Sequence, residues 1–139
     1  MRGSVRVQAE ILTKLADHAR LDPRQECCGL LAGHGGIITV SFAARNAAAH
    51  PATSYEIASE ELFPLMRAIR AAGLELLGIY HSHPRGPNEP SPRDIECAYY
   101  PEAAYFIVSP QPDALQSVRA YSIRDGRVAE LEIQVLQAL

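Results

Sequence analysis

The sequence predicts an α/β fold, a mixed sheet with about three helices around it. Three observations point there. Two segments, residues 8–20 and the stretch from Ser59 to Gly73, carry apolar residues at helical spacing. Around them lie short runs of strand length, either continuously apolar or alternating. Two glycine-containing turns, His34-Gly35-Gly36 and Asp125-Gly126, join neighbouring runs into hairpins.

In chain order, Val5-Arg6-Val7 reads as a short edge strand. Ile11, Leu12, Leu15, Ala16 and Ala19 then mark one face of an amphipathic helix, which Asp22-Pro23 ends. Cys27 to Ala32 and Ile37 to Phe42 are the two arms of the first hairpin. Asn46 to Thr53 is a loop of small residues, and Ser54-Tyr55-Glu56-Ile57 alternates like another strand. Ser59 opens the second helix, with Leu62, Leu65, Met66 and Ile69 on one face. Pro64 lies past the favoured first turn, which predicts a displaced helix start. Gly73 closes the helix, and Leu74 to Tyr80 reads as a buried strand. Residues 84–92 hold four prolines and a glycine, the composition of a stiff loop. Ser91-Pro92 starts a third helix, with serine as cap and proline at the first helical position. Ala104 to Ser109, Ser117 to Arg124 and Arg127 to Val135 complete the strands. No repeat, low-complexity tract or boundary interrupts the pattern, so residues 1–139 read as one domain with one core.

Composition narrows the function classes. Apolar residues make up 47% and charged residues 21%, as in ordinary globular proteins. A net charge of -3 argues against a dominant nucleic-acid or anionic-membrane surface. No apolar run is long enough to span a bilayer, and Met1 to Val7 lacks the apolar core of a signal peptide. Three cysteines, two of them adjacent, do not form a disulfide framework, so a reducing cytoplasm is the expected setting. Nothing in the sequence fixes the oligomeric state, a homodimer included.

The chemistry concentrates in His81-Ser82-His83-Pro84 and Ser91-Pro92-Arg93-Asp94. Side chains two apart on a strand point the same way, so His81 and His83 face one side with α-carbons roughly 6.6 Å apart. Both rings can then reach one zinc ion at bonds of about 2.0–2.1 Å. Position at the end of a buried strand favours this over two incidental polar residues. Ser91 and Asp94 have an ordinary reading as a capping box, in which the acid bonds back to the cap residue's N–H. The same cap fixes Asp94 on the first turn of a helix facing the strand end, where it can serve as a third metal ligand. Three protein ligands plus water is the open arrangement of a catalytic zinc. Such a site also needs a base that is not a ligand. Glu26 is one candidate among many acids, its plain alternative being a solvated loop charge. Cys28 as a nucleophile is set aside, because it sits inside an apolar strand where cysteine is a small buried hydrophobe. His18, His34 and His50 read as surface histidines.

Taken together, Glu26-Cys27-Cys28-Gly29-Leu30-Leu31-Ala32-Gly33, then His81-Ser82-His83-Pro84, then Ser91-Pro92-Arg93-Asp94 resembles the JAMM motif of the MPN-plus zinc metalloproteases. The match holds at every motif position, and the order of elements agrees from about residue 5 to residue 136. The resemblance implies a curved mixed β-sheet flanked by helices, similar to the cytidine deaminase fold. It implies Zn2+ bound by His81, His83 and Asp94, with water as fourth ligand. Glu26 would hold and deprotonate that water, and Ser91 would donate a hydrogen bond to the carbonyl oxygen. The implied reaction is hydrolysis of the amide at the C-terminal glycine of a ubiquitin-like protein. The chain is close to a minimal domain, with little room for the insertions of the eukaryotic deubiquitinating members, and is similar to the bacterial branch. Some members there release cysteine or another amine from a small sulfur-carrier protein. The implied partner is a ubiquitin-like or sulfur-carrier protein with a C-terminal Gly-Gly tail.

Two other functions compete. A non-catalytic MPN scaffold is one, although such modules have lost motif residues that this chain retains. A zinc deaminase is the other, but the His-x-Glu and Pro-Cys-x-x-Cys of those enzymes do not occur here.

Overall fold

The computed structural model describes residues 3–111 and 116–137. The elements run β1 (Ser4–Gln8), α1 (Ala9–Leu21), β2 (Cys28–His34), β3 (Ile37–Ala44), α2 (Ser59–Ala71), β4 (Glu75–Ser82), α3 (Pro92–Glu96), β5 (Ala104–Val108), β6 (Val118–Arg124) and β7 (Arg127–Leu136). Among the described residues the strands pair in the order β1-β3-β2-β4-β5-β6-β7 and close into a barrel. The expected mixed sheet and three helices are present, but the sheet closes instead of remaining an open curve. The closing strand is β1, which runs parallel to both neighbours: Arg6 lies opposite Ile37 on β3 and Gln134 on β7. Val5 to Val7 is therefore not an edge. Apolar alternation in so short a segment cannot report how many sides are paired.

Each face of the sheet has its own core. Ile11, Leu15 and Ala19 of α1 pack with Leu31, Ile38, Tyr80 and Phe106. Helix α1 meets two separate pairs of neighbouring strands, β1 with β3 and β5 with β6, so the sheet curls around it. The alternate residues Leu30, Ile79, Tyr105 and Ile107 pack on the other face against Ile69 of α2, with Leu62, Leu65 and Met66 beside it. Cover on both faces explains the unbroken apolar runs of β2 and β5, since alternation disappears when neither face meets water. The hairpins follow the sequence. Gly35, Gly36, Asp125 and Gly126 all have positive φ, as a two-residue turn of this hand requires.

Two local expectations fail. Ser54 to Ile57 is not a strand. Asn46 holds it instead: its Nδ2 donates to the Ser54 carbonyl at 2.9 Å and its Oδ1 accepts from Glu56 N–H at 3.1 Å. This side-chain amide and the bond from Ala47 N–H to the Glu56 carbonyl at 2.8 Å hold the segment in place of a neighbouring strand. Pro64 does not displace α2, which starts at Ser59 and runs through it. The proline withholds one N–H from the carbonyl of Glu60, an exposed position where water can serve.

Candidate active site

Strand β4 ends at Ser82, so His81 is the last strand residue on its face and His83 lies one step beyond. His81 pairs with Cys28 of β2 and Ile107 of β5, and His83 N–H donates to the Val108 carbonyl at 2.9 Å. Both backbones are thus held by central strands. The side chains converge. His81 Nε2 and His83 Nε2 lie 3.1 Å apart. Asp94 Oδ2 lies 3.1 Å from the first and 3.0 Å from the second. Donors around a tetrahedral zinc with bonds near 2.0 Å stand about 3.3 Å apart. This triangle is slightly tighter, so its three atoms fit one face of such a site.

The capping box positions Asp94. Its N–H donates to Ser91 Oγ at 3.1 Å, and its Oδ2 accepts from Ser91 N–H at 2.9 Å. The Asp94 oxygen that completes the capping box is the same one that contacts both imidazoles. Helix α3 is a single turn, so the cap is most of its local stabilisation. Burial alone would raise the Asp94 pKa, but hydrogen bonds from His81 and His83 outweigh it and hold the carboxyl well below the usual range. Burial lowers the His81 pKa. His83 is also penalised by burial, yet its bonds to Asp94 and the Pro87 carbonyl leave it raised.

Glu26 is not a solvated charge. It is 6% exposed, and its carboxylate lies within 4.8 Å of the donor atoms of His81 and His83. Its Oε1 has no hydrogen-bond partner among the described residues. Burial is the main cause that raises its pKa to about 7, with Asp94 adding and His83 opposing. A set of Glu26, His81 and His83 could also hold an ion. The closer mutual contacts of Asp94 with both imidazoles favour the Asp94 set, with Glu26 adjacent to it.

Several residues that build the site were not singled out in the sequence. Asn46 Nδ2 donates to the Glu26 carbonyl at 2.9 Å, and Glu26 N–H donates to the Pro51 carbonyl at 2.8 Å. Ser82 Oγ accepts from Cys27 N–H at 2.8 Å and ties the Glu26 segment to β4. Tyr55 stacks on the His81 ring at 4.4 Å between centroids. The Pro87 carbonyl lies 2.9 Å from His83 Nδ1, which orients the ring with Nε2 toward Asp94. That carbonyl sits in a clamped loop. Gln111 Nε2 donates to the Pro84 carbonyl at 2.8 Å, Asn88 Nδ2 to the Gln116 carbonyl at 2.8 Å, and Tyr121 OH to the Asn88 carbonyl at 2.9 Å. Only the His-x-His neighbourhood of Ser82 and the proline density of the loop were visible beforehand.

The remaining candidates separate clearly. Cys28 is fully buried and burial pushes its thiol up to about 12, so it is no nucleophile at neutral pH. Cys27, Cys28 and Cys97 are all free thiols. His18 is not a plain surface histidine: its Nδ1 lies 2.8 Å from the hydroxyl of buried Tyr80. No helix among the described residues is long and apolar enough to cross a membrane.

The chain is also similar to known proteins. The family described as prokaryotic homologs of the JAB domain matches residues 8–123. The desampylase of Haloferax volcanii is 41% identical over 102 residues, 72% of this chain and 73% of that protein. The CysO-cysteine peptidase of Mycobacterium tuberculosis is 33% identical over 133 residues, 94% of this chain and 90% of that protein. A crystal structure of a JAB1/MPN domain protein from Archaeoglobus fulgidus shares the fold with a TM-score of 0.65 at 18% identity, covering 96% of this chain and 97% of that one.

Proposed function

We propose a function from one premise: this chain belongs to the prokaryotic JAB-domain family. It is a hydrolase, and we infer that it is a zinc peptidase cleaving the amide at the C-terminal glycine of a ubiquitin-like or sulfur-carrier protein. The observation that carries the reading is the triangle of His81 Nε2, His83 Nε2 and Asp94 Oδ2 at 3.0–3.1 Å, with a buried, unsatisfied glutamate beside it. Two imidazoles and a carboxylate in a tetrahedral-sized array are a donor set suited to zinc. Relatives bear the names desampylase and CysO-cysteine peptidase, and in this reading the present chain takes a carrier conjugate as substrate. Residues 1–139 act as one domain in a reducing cytoplasm, where the three thiols remain free.

His81, His83 and Asp94 would hold the zinc, which would supply Lewis acidity toward the scissile carbonyl and lower the pKa of water toward neutrality. Glu26 accepts the proton of the attacking water and passes it to the leaving amine nitrogen. The water oxygen joins the glycine carbonyl carbon, and the C–N bond breaks to give a free carboxylate and a free amine. Ser91 Oγ already accepts from Asp94 N–H, which leaves its own O–H free to donate to the carbonyl oxygen as charge develops. Its place in the cleft with Glu26 and His83 suits that role.

Incubation of the zinc-loaded protein with a carrier bearing cysteine on its terminal Gly-Gly, read by intact mass, tests the reading. Loss of the cysteine residue is expected. Elemental analysis is expected to find one zinc per chain, and His83→Ala to lose it while the circular dichroism spectrum stays native. A folded protein that binds zinc but leaves every carrier conjugate intact would be a scaffold, and the peptidase reading would fall.

A further inference from the structure

The cleft before the metal donors, about 550 Å3 in volume, is lined by Glu26, His83, Ser91, Arg24, Arg85 and Glu89, among others. Its charges are unevenly committed. Glu89 lies 3.4 Å from Arg119, which is held more closely by Glu130 at 2.7 Å. Arg24 makes only a 3.8 Å contact with Asp22 in which its side chain is 90% exposed, a pair that contributes little. Arg85 has no ion-pair partner among the described residues. Two guanidiniums without a close acid therefore line the same cleft as Glu26, His83 and Ser91, in a chain whose net charge is -3.

A carrier tail offers these arginines nothing at its end, because the terminal glycine carboxyl is already part of the amide. The leaving residue is different. An α-amino acid joined through its amine places a free carboxylate one carbon from the scissile nitrogen. A protein lysine joined through its ε-amine places none there. A guanidinium presents parallel N–H donors matched to a carboxylate, so an arginine in reach reads this distinction directly.

We propose that Arg24 and Arg85 form a carboxylate subsite, so that the leaving group is a free α-amino acid and not the ε-amine of a protein lysine. The proposal rests on the peptidase reading above and narrows it. The subsite binds a group that does not change during the reaction. Its contribution therefore falls on ground state and transition state alike and appears in KM more than in kcat.

Three conjugates of one Gly-Gly-terminated ubiquitin-like carrier test it with the zinc-loaded full chain. The first ends in cysteine with a free carboxylate, the second in cysteinamide, and the third is joined to the ε-amine of a lysine in a capped peptide. The cysteine conjugate is expected to show kcat/KM about tenfold above the cysteinamide, mainly through KM, the scale of one charge-assisted contact at a partly exposed site. The double variant Arg24→Gln/Arg85→Gln is expected to bring the cysteine conjugate down toward the cysteinamide. Equal rates on acid and amide overturn the subsite, as does a preference that survives in the double variant with zinc still bound. Preference for the lysine conjugate overturns it in favour of protein deconjugation. Cleavage of none of the three sinks the peptidase reading, and the subsite with it.

Discussion

Glu26 keeps a buried carboxylate oxygen that no described group satisfies, a state that costs stability. Substitution by glutamine retains the shape and removes the basicity. Glu26→Gln is expected to bind zinc as the parent does and to lose roughly 10²–10⁴ in kcat, the scale of a general base. Rates near the parent's with full zinc would exclude it as the base. Ser91 needs a different contrast, because it caps α3 through Oγ. Ser91→Gly keeps a tolerable cap, at a cost of a few tenths of a kcal/mol, and removes the hydroxyl. Turnover is expected to fall on the order of 10²–10³ while Tm hardly moves. Full turnover would leave Ser91 as a cap alone. The sequence exposed these two residues unequally. Ser91 and Asp94 carry a local spacing with its own mechanism, whereas Glu26 is one acid among 16 acidic residues until the fold brings it to the histidines. Only the longer motif singled it out.

At the scale of elements, the loop after β4 is the part of the site that the sequence showed least. Its prolines indicated stiffness, but not where the stiffness is anchored. The anchors are backbone carbonyls met by Gln111, Tyr121 and the Asn88 side chain, and carbonyls leave no mark in a sequence. Tyr121 is 4% exposed and holds the Asn88 carbonyl, next to the Pro87 carbonyl that orients His83. Tyr121→Phe keeps the ring in its core and removes the hydroxyl that holds the Asn88 carbonyl. Zinc affinity, measured by competition with a chelator, is expected to weaken about tenfold, the lower end for groups that orient metal ligands. Unchanged affinity would mean that Pro87 holds its place without help from β6. Asn46 shows the same limit from another side. Its amide occupies the role expected of a strand partner for residues 54–57, and an isolated asparagine in a loop of small residues gives no hint of the five hydrogen bonds it makes among the described residues.

At the scale of the molecule, the sheet type and helix number were legible because periodicity, hairpin glycines and caps are local. Closure was not, because it depends on β1 pairing with a strand near the opposite end of the chain. The same long-range packing makes His18 more than a surface residue. From α1 it reaches Tyr80 on β4, one residue before His81, and burial lowers its pKa from 6.5. The folded state therefore favours the neutral ring. As pH falls through about 6.5, the unfolded chain takes up a proton that the folded chain does not yet bind. Unfolding becomes proton-consuming in that window, so the stability present above it is progressively lost toward acid. His81 shifts in the same direction and His83 in the opposite one, so the wild-type profile alone cannot isolate His18. His18→Asn can: an amide oxygen can still accept from the Tyr80 hydroxyl, and it does not titrate. With zinc removed by chelator, Tm of both proteins is measured from pH 8 to pH 5. The parent is expected to lose more Tm than His18→Asn across that range, and parallel profiles would show that the His18 ring titrates alike in the folded and unfolded chain.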